Sequence, residues 1–413
     1  MKKITSFTNP SKVKINGPIN VIRMEGTVGT IKKIVYLFMD YHMPVGSETQ
    51  CSHIFAEDVH RYLARSFYKL SGSNKIYDFF VEVFPSELTN KVTNKTEFRD
   101  IYIEEVVKFF RKIFVYDSKK NKVLINEVFK NIRLHYIDIR DYYKTNLFNV
   151  IDKMKSLANE FMCQQHINLD SLHKIIDFLH ILKRHLKLVI DIITRKIWKK
   201  TTKIKIISPQ KYSVDINALI YIANKMSKSY KNKYVMERMN QMMKQSVEDF
   251  SSIINILDDS IERFGKYAEY LEKSENVLVR DENTVYLYAY GPSSHSRRKI
   301  IIDIMDIVEN LFDGIIEYFG RFMDIYFLRR MLDKDYITNV IVYTGALHSN
   351  TYIHELVKYF DFKVTHASYF KGKSIDELNK EIKKKSIMEI QELILPHKVE
   401  QCSDMSNFPT DFS

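Results

Sequence analysis

Glycine and proline are scarce in this chain. Its 413 residues include 11 glycines and 8 prolines, whereas average usage would give about 29 and about 21. A β-sandwich or a β-propeller needs many tight turns, and tight turns favour these two residues. The composition therefore argues against such folds and predicts long helices joined by few turns.

Cysteines and long apolar runs are also few. Cys51, Cys163 and Cys402 are too few and too far apart for a disulfide framework or a cysteine-based zinc site. The N-terminal segment MKKITSFTNPSKVKINGP has no apolar core of signal-peptide length, and no run of about 18 apolar residues could span a membrane. These absences predict a protein without a transmembrane segment that stays in a reducing, intracellular compartment.

The remaining composition is that of a folded protein with a basic surplus. Hydrophobic residues make up 45% and charged residues 28% of the chain, near the averages for globular domains. The length predicts two or three structural units. The 63 Lys and Arg against 51 Asp and Glu give a formal charge of +12, which can attract a polyanion or an anionic membrane surface.

A basic amphipathic run at 176–200, IDFLHILKRHLKLVIDIITRKIWKK, is one place where such a partner could bind. The simpler interpretation is an apolar stripe that faces a helical core, with solvated lysines on the other side. A polyanion or protein partner at this run therefore stays an alternative.

Hydrophobic periodicity divides the chain into two α/β halves and a helical middle. Residues 19–140 and 275–370 alternate strand-like apolar runs with helical stretches. Residues 141–274 carry long periodic stretches, which predict an inserted helical bundle. A flexible arm at 1–18 and a C-terminal helix with a polar tail at 371–413 complete the chain. The predicted class is α/β: a central mostly parallel or mixed sheet with flanking helices, plus a long all-helical insertion.

Four of the predicted strands carry ionisable residues at or near their carboxyl ends. In chain order these are Asp40 and His42; Glu82; Arg133, His135, Asp138 and Arg140; and His348. Ligands of open α/β sheets bind beyond the carboxyl ends of the strands, so these side chains could converge. Two histidines and a carboxylate are a common ligand set for a catalytic divalent metal. Any single one of them can equally be a satisfied core or strand-end residue.

The segment VIVYTGALHSNTYIHELVKYFDFKV resembles the C-terminal signature of the TIKI/TraB and ChaN-like superfamily, to which erythromycin esterases are related. The shared features are a buried strand, a Gly-x-x-His motif that ends at His348, a helix and a final strand. The earlier Gly-x-x-His motif of the superfamily would end at His42, with Met39 in place of its glycine. Its strand carboxylate would be Glu82, and the helix RFMDIYFLRRML would make Asp324 a neighbour of the site.

This resemblance covers residues 33–84 and 297–366 and leaves the helical middle unmatched. Members of the superfamily include metal-dependent proteases, haem-binding lipoproteins and esterases, so the fold alone does not determine the reaction. The overall pattern is also similar to uncharacterised proteins of large DNA viruses of amoebae. That similarity implies the host cytoplasm or a virion as the setting.

We therefore expect a divalent metal ion held by His42, Glu82 and His348. Asp40 or Asp138 would orient a ligand or act as general base for the bound water, and Arg133 or Arg140 would bind a carboxylate or phosphate or stabilise an oxyanion. The expected substrate contacts are His135, Asp324, Arg297 and Arg298. The last two belong to GPSSHSRRK, a loop before a helix that could bind an anion.

Cys51 suggests a different kind of site, because it follows His42 by nine residues and a thiol beside a histidine can be a nucleophile. A buried or inert cysteine is the simpler interpretation.

Two classes of function follow. The first is a metal-dependent hydrolase that acts on a peptide, ester or related bond of a small-molecule or peptide substrate. The second is a non-enzymatic viral virion or host-interaction protein with the same fold, which binds a protein or a polyanion through its basic helical insertion. Tightly bound metal would favour the first, and affinity that falls steeply with added salt would favour a polyanion.

Overall fold

A computed structural model describes residues 13–43, 45, 49–83, 101–117, 122–124, 126–139, 141–197, 216–227, 229–278 and 293–413. The strands of these residues are β1 (Lys14–Asn16), β2 (Asn20–Val28), β3 (Ile31–Asp40), β4 (Glu57–Asp58), β5 (Tyr77–Val81), β6 (Tyr116–Asp117), β7 (Lys122–Val123), β8 (Ile132–Tyr136), β9 (Asn339–Gly345), β10 (Lys363–Ala367) and β11 (Cys402–Asp404). The helices are α1 (Val59–Leu70), α2 (Tyr102–Phe110), α3 (Asp141–Gln164), α4 (Leu169–Ile197), α5 (Ile216–Ser227), α6 (Lys233–Leu278), α7 (Ser293–Asp333), α8 (Ala346–Tyr359), α9 (Ile375–Lys384) and α10 (Ile387–Ile394). The α/β class predicted from the sequence is confirmed.

The chain divides into two compact units. The α/β unit consists of Met1–Asp138 and Tyr326–Ser413, and the helical unit consists of Ile139–Ile325. The sequence places the second α/β half at 275–370, whereas the second segment of the α/β unit begins at Tyr326 and runs to Ser413. The boundary falls inside α7, where helical periodicity continues without a break and therefore carries no signal of a new unit.

A six-stranded mixed sheet forms the centre of the α/β unit, in the order β10-β2-β3-β9-β5-β8. The four strands β3, β9, β5 and β8 run parallel to one another, and β2 runs antiparallel to both β3 and β10. The hairpin of β2 and β3 turns at Gly29, whose φ of 62° lies in the left-handed region that glycine adopts without penalty. This topology brings the carboxyl ends of β3, β9 and β5 to one edge.

Aromatic side chains pack one face of the sheet against α1 and α2. Phe67 of α1, Phe79 of β5 and Phe110 of α2 meet with ring centroids 5.2 to 5.5 Å apart. Helix α8 packs against β3 and β9, and α9 and α10 pack against α8. The strands that carry the candidate residues are therefore held by helices through buried apolar contacts, the largest favourable contribution to folding.

Both ends of the described chain belong to this packing. Within the segment expected to be an arm, β1 pairs with β11 and β4, and Ile15 is fully buried. Within the segment expected to be a polar tail, Phe412 packs on Tyr36 with ring centroids 4.9 Å apart, and the carbonyl of Ser413 accepts a hydrogen bond from Arg23 Nε at 2.8 Å. Single aromatic residues among polar ones gave no periodic signal, so the sequence interpretation overlooked them.

A disulfide joins Cys51 to Cys402 across 351 residues of sequence. The small number of cysteines argued against a disulfide framework, but a single pair needs only two cysteines that the fold brings together. The pairing also withdraws the Cys51 thiol from the role of a nucleophile. Cys163, on α3, is free and exposed.

The helical unit is built from α3, α4, α5, α6 and the part of α7 up to Ile325. Helix α4 packs along α6, and α3 and α5 pack on α4. The sequence also indicates an interruption of the helical pattern near Ser208 and Pro209 and a short strand within NTVYLYAY, and both lie outside the described residues. Among the described helices none combines the length and the apolar content that a membrane crossing needs.

Gly26 provides a test of the packing at the edge of the sheet. A Cβ atom at this position of β2 would clash with the ring of Phe362, which is fully buried. We expect Gly26→Ala to lower the free energy of unfolding by roughly 1 to 3 kcal/mol through overpacking, measured by urea denaturation. Gly72→Ala is the matched control because a Cβ there meets nothing within 4 Å. Equal stability of the two variants would contradict the close contact.

Candidate functional site

The candidate site lies where β3, β9 and β5 end side by side. Asp40, the last residue of β3, pairs in register with Gly345, the last residue of β9. Glu82 directly follows β5, and its backbone N–H donates to the carbonyl of Tyr343 at 3.1 Å. The register of the parallel strands therefore places Asp40 and Glu82 on either side of the end of β9.

Asp40 and His42 form an imidazole–carboxylate pair. Asp40 Oδ2 lies 2.5 Å from His42 Nδ1 and accepts the His42 backbone N–H at 3.1 Å. Its other oxygen, Oδ1, accepts the hydroxyl of Tyr343 at 2.9 Å. The carboxylate is buried whereas the imidazole is 42% exposed, so a fixed carboxylate holds a ring that a ligand can reach.

The backbone of His42 adopts a conformation that is uncommon outside glycine. Its φ is 55°, in the left-handed region that costs a non-glycine residue about 1 kcal/mol or more. The two contacts with Asp40 hold the chain in this turn. Non-glycine residues with positive φ are enriched at functional sites.

Glu82 and His348 form a second imidazole–carboxylate pair. Glu82 Oε2 accepts the Thr344 hydroxyl at 2.8 Å and the Gly345 backbone N–H at 2.7 Å. Its Oε1 lies 3.5 Å from His348 Nε2 in the first turn of α8. The side chains of Glu82 and His348 are 3% and 14% exposed, so the charge of Glu82 is compensated by fixed hydrogen bonds rather than by water.

The two pairs meet at Gly345. A Cβ atom on Gly345 would lie 3.2 Å from His42 Nε2 and 3.4 Å from Glu82 Oε2. The absence of a side chain therefore leaves the space between the pairs open. We call Asp40, His42, Glu82 and His348 around Gly345 the double-pair site.

Burial fixes the protonation of the tyrosine behind this site. Tyr343 is fully buried, and burial together with the neighbouring Asp40 carboxylate raises its pKa well above the usual value. The phenol therefore stays protonated and donates to Asp40. This hydrogen bond stabilises the buried charge of a carboxylate that also binds His42.

The donor types of the double-pair site suit a divalent metal. His42 Nε2, His348 Nε2 and Glu82 Oε1 are the imidazole and carboxylate atoms that bind zinc and similar ions. The contact of Asp40 with His42 Nδ1 is the outer contact that orients a metal-binding histidine. The three donors do not, however, all lie within 4.8 Å of one another, so binding one ion would require these side chains to move.

A tighter group of potential donors lies elsewhere in the α/β unit. Cys51, Glu400 and Cys402 place one donor atom each within 4.8 Å of the others, and this is the one such group in the part of the chain that the structure describes. The two sulfurs are joined in the disulfide. A disulfide offers no thiolate, so this group does not bind a metal while it is oxidised.

Arg133 and His135, two predicted site residues, bind a different carboxylate. Arg133 donates to both oxygens of Asp78, from Nε at 2.8 Å and from Nη2 at 2.6 Å. His135 Nε2 lies 2.6 Å from Asp78 Oδ1, and Arg330 donates to His135 Nδ1 at 2.9 Å. Asp78 of β5 precedes Glu82 by four residues, about 13 Å along an extended chain. These contacts join β5, β8 and the end of α7, away from the double-pair site.

The contacts of His135 define its tautomer and its charge. Arg330 can only donate, so Nδ1 accepts and Nε2–H donates to Asp78. Burial lowers the pKa of His135 to about 4, with the arginines beside it adding to the effect and Asp78 opposing it. A neutral, fixed imidazole of this kind braces the sheet rather than transferring protons near neutral pH.

The other predicted residues have separate positions. Asp138 lies two residues beyond β8, at the same edge as Glu82, and is buried. Arg140 lies outside the described residues. Asp324, Arg297 and Arg298 belong to the helical unit, where Asp324 is buried and Arg298 is exposed on α7. Arg297 and Asp324 are 27 positions apart on this helix, about 40 Å at 1.5 Å per residue, so they do not share a site.

The sequence interpretation missed three polar residues that support these clusters. Thr344 and Tyr343 stand next to each other in VIVYTGALH. Their hydroxyl groups, among aliphatic residues of a buried strand, were the signal in the sequence that could have identified them. Asp78 and Glu82 stand four apart in YDFFVE, hence on the same face of a strand. Only Glu82 was selected, although both are carboxylates within an apolar strand and both need partners.

The neutral His135 predicts how stability depends on pH. Its pKa in the folded protein, about 4, lies below the value near 6.5 of an unfolded chain. The unfolded state therefore binds more protons between these values, and the free energy of unfolding falls as the pH drops from about 6.5 to about 4. In His135→Gln an amide can still donate to Asp78 and accept from Arg330, but it does not titrate.

We expect the fall in unfolding free energy between pH 7 and pH 4.5 to be about 2 kcal/mol smaller in His135→Gln than in the parent. Urea denaturation at the two pH values measures it. An equal fall in both proteins would show that His135 is not buried in its neutral form.

Comparison with known proteins identifies relatives. "Uncharacterized protein R706" of Acanthamoeba polyphaga mimivirus is 50% identical over 419 residues, covering 100% of both chains. "Uncharacterized protein R161" of the same virus is 36% identical over 433 residues, covering 97% of this chain and 98% of that protein. "Uncharacterized protein R160" is 33% identical over 428 residues, covering 97% of each. No solved structure matches the chain.

These relatives confirm the expected similarity to proteins of a large virus of amoebae. They do not show the TIKI/TraB and ChaN-like superfamily. The family of unknown function DUF5847 matches residues 13–413, almost the whole length. The chain therefore belongs to the family of unknown function DUF5847.

Proposed function

We propose that the chain is a metal-dependent hydrolase whose reaction centre is the double-pair site. The observation that carries this proposal is the meeting of two imidazole–carboxylate pairs over Gly345. Each carboxylate is buried and anchored by protein hydrogen bonds, so each imidazole has a fixed position. Hydrolysis needs groups of this kind, which hold a water molecule and move its proton.

The resemblance of two sequence segments to TIKI/TraB and ChaN-like proteins supports the same residues. The motif positions of that superfamily fall on His42, Glu82 and His348, and these three side chains lie at one edge of one sheet. The resemblance is short, and its support therefore comes from the order and strand context of the three positions.

Each residue of the site would have a separate role in hydrolysis. A divalent ion held by His42, Glu82 and His348 would acidify a bound water and polarise the substrate carbonyl. Asp40 keeps Nδ1 of His42 occupied, so that Nε2 is directed toward Gly345. Thr344 and the Gly345 N–H anchor Glu82 through Oε2, so that Oε1 faces His348.

One observation favours a variant of the same hydrolysis without metal. The three proposed metal donors, on His42, Glu82 and His348, do not all lie within 4.8 Å of one another. By contrast, His42 Nδ1 already lies 2.5 Å from Asp40 Oδ2. A histidine whose Nδ1 binds a buried carboxylate has the arrangement of a general base that acts through Nε2. Metal content distinguishes the two mechanisms.

Two exposed apolar side chains indicate the type of substrate. Tyr41 stands between Asp40 and His42 and is 43% exposed, and Leu347 precedes His348 and is 65% exposed. Exposed apolar residues beside polar ones are typical of ligand-binding surfaces. We propose a peptide, ester or related bond flanked by an apolar group as the substrate, encountered in the host cytoplasm or the virion because the relatives are mimivirus proteins.

Binding of a polyanion by the helical unit receives less support. Its basic side chains include Lys155, Lys183, Arg263 and Arg321, which pair with Glu309, Asp258, Asp303 and Asp249 of the same unit. Paired cations contribute little field for a phosphate backbone. The partner-binding alternative becomes the leading one only if the hydrolase test fails.

Metal content and hydrolysis, measured together, test the proposed function. We expect one equivalent of divalent metal in the purified parent after dialysis against trace metals, and its loss in His42→Ala and His348→Ala. Hydrolysis of ester and peptide substrates should fall roughly a hundredfold or more in both variants, because each removes a positioned catalytic group. His173→Ala is the control, since this histidine is half exposed on α4 and pairs with Glu272.

The outcomes separate the mechanisms. A parent without metal that still hydrolyses substrate, and loses activity in His42→Ala, would establish the metal-free route. A parent with neither metal nor hydrolysis would overturn the hydrolase.

Gly345→Ala tests the open space between the two pairs. Its φ of −56° and ψ of 150° suit alanine, so we expect the free energy of unfolding to change by less than about 1 kcal/mol. The new methyl group would stand 3.2 Å from His42 Nε2 and lower activity roughly a hundredfold by displacing a reacting group. Gly314→Ala is the control because its Cβ meets only Ile253, at 3.6 Å. Full activity of Gly345→Ala would place the reaction elsewhere.

A further inference from the structure

Arg330, in the last turn of α7, is a half-buried cation held by uncharged groups. Its Nη2 donates to Nδ1 of the neutral His135 at 2.9 Å, and its Nη1 donates to the Tyr326 hydroxyl at 3.4 Å. Its guanidinium carbon lies 6.0 Å from the centre of the Phe80 ring, which is fully buried. These groups fix the position of the guanidinium, but none of them carries a negative charge.

The carboxylates nearest along the chain and the sheet are bound to other groups. Arg330 forms no ion pair with a carboxylate in the part of the chain that the structure describes. Asp78 accepts hydrogen bonds from Arg133 and His135 through both of its oxygens. Asp333, three residues further along α7, pairs with the lysine that follows it at 3.3 Å. Two guanidinium groups, one carboxylate and one neutral imidazole therefore form a cluster whose net charge is positive.

The end of helix α7 offsets little of this charge. Carbonyl groups at a helix C-terminus attract cations. The side chain of Arg330, however, reaches back to Tyr326, four residues toward the helix N-terminus, and its hydrogen bonds within the described chain go to side chains. A charge that is partly removed from water and has no counter-charge is costly. An oxyanion beside Arg330 would supply the missing negative charge.

Both arginines of the cluster keep N–H groups for such an anion. Arg133 uses Nε and Nη2 for Asp78, and Nη2 also donates to the carbonyl of Tyr336 at 2.9 Å. Its Nη1 has no bond to another described residue. Arg330 uses one N–H of each Nη, which leaves its Nε–H and one N–H on each of these nitrogens. The Arg133 side chain is 35% exposed, so a small molecule can reach the cluster.

The two arginines are also held in fixed positions. His135 binds Arg330 through Nδ1, and its Nε2 lies 2.6 Å from Asp78, the carboxylate that holds Arg133. The guanidinium carbon of Arg133 lies 4.8 Å from the centre of the Tyr336 ring. Donors that are already ordered bind a ligand at a lower entropic cost. A planar guanidinium fork matches the geometry of a carboxylate or a phosphate.

We propose that Arg330 and Arg133 form a binding site for an oxyanion, the carboxylate or phosphate group of a small molecule. The oxyanion accepts hydrogen bonds from the remaining N–H groups of Arg330, and the charge of Arg133 attracts it further. His135 and Asp78 hold the two arginines and do not contact the anion. The site lies on β8 and the end of α7, away from the double-pair site, so it does not depend on hydrolysis.

Isothermal titration of the full chain at neutral pH and low ionic strength tests this site with two probes, inorganic phosphate and benzoate. We expect binding in the parent, and Arg330→Gln should weaken it about tenfold or more because a charged donor becomes neutral. Tighter binding of phosphate would indicate a phosphate-bearing ligand, and tighter binding of benzoate a carboxylate-bearing one. Arg65→Gln is the matched control and should keep the affinity of the parent. Arg65 also lies over an aromatic ring, but it already pairs with Glu57 at 2.5 Å.

Chemical modification of the parent tests the same site without a substitution. Phenylglyoxal reacts with accessible guanidinium groups, and mass spectrometry locates the modified residues. The tighter of the two probes, well above its Kd, should slow modification of Arg330 about fivefold or more relative to sodium chloride of equal ionic strength. Modification of Arg65 should keep its rate. This measurement remains decisive if Arg330→Gln does not fold.

Four results would overturn the proposal. Absence of binding of either probe at millimolar concentrations would show that no such site exists. Equal affinity in Arg330→Gln and the parent would place the anion elsewhere, and so would unchanged modification of Arg330. Equal weakening in Arg65→Gln would reduce the effect to the net charge of the chain.

The test also separates this site from the proposed hydrolase. His42→Ala should bind both probes as the parent does, and a loss of binding there would assign the anion to the double-pair site instead. A chain with neither metal nor hydrolysis keeps the anion site if Arg330→Gln lowers the affinity and Arg65→Gln does not. A hydrolase whose Arg330→Gln variant binds the probes like the parent keeps the reaction and loses the anion site.

Discussion

The parallel register of β3, β9 and β5 is the constraint on which the candidate site depends. It places Asp40 opposite Gly345 and the N–H of Glu82 on the carbonyl of Tyr343. A slip of one residue in either pairing would turn a carboxylate to the other face of the sheet, because side chains alternate along a strand. The buried aromatic residues of β3 and β5 resist such a slip, and packing of the core thus determines the geometry of the chemistry.

The second constraint is that a buried charge needs hydrogen-bonding partners. The fold supplies such partners to two carboxylates of the site. Asp40 and Glu82 each occupy both carboxylate oxygens with protein partners, including Tyr343 for one and Thr344 for the other. Arg133 and His135 likewise bind both carboxylate oxygens of Asp78, but His135 is buried and neutral. The Asp78 cluster differs from the double-pair site in its two arginines, Arg133 and Arg330. An exposed imidazole such as His42 can meet a ligand, whereas His135 has both ring nitrogens bound to protein partners and braces the sheet.

The sequence anticipated the fold better than the site, for reasons that particular elements show. Apolar runs such as KKIVYLFM report burial directly, and β3, β5, β8, β9 and β10 all lie within segments that the periodicity selected. Hydrophobic periodicity does not indicate which partner a side chain binds. Arg133 and His135 were grouped with Glu82 because they end a strand. They bind Asp78 because β8 pairs with β5 in a register that sets Arg133 beside Asp78.

The amino-acid sequence by itself determined the α/β class, the long helices of the middle and the placing of Asp40, His42, Glu82 and His348 at the ends of strands, because hydrophobic spacing and scarce glycine are local properties. Only the tertiary structure decided that two imidazole–carboxylate pairs meet over Gly345 and that Cys51 reaches Cys402 across 351 residues. Contacts between distant segments follow from strand order, register and packing of the whole unit, which no local pattern encodes.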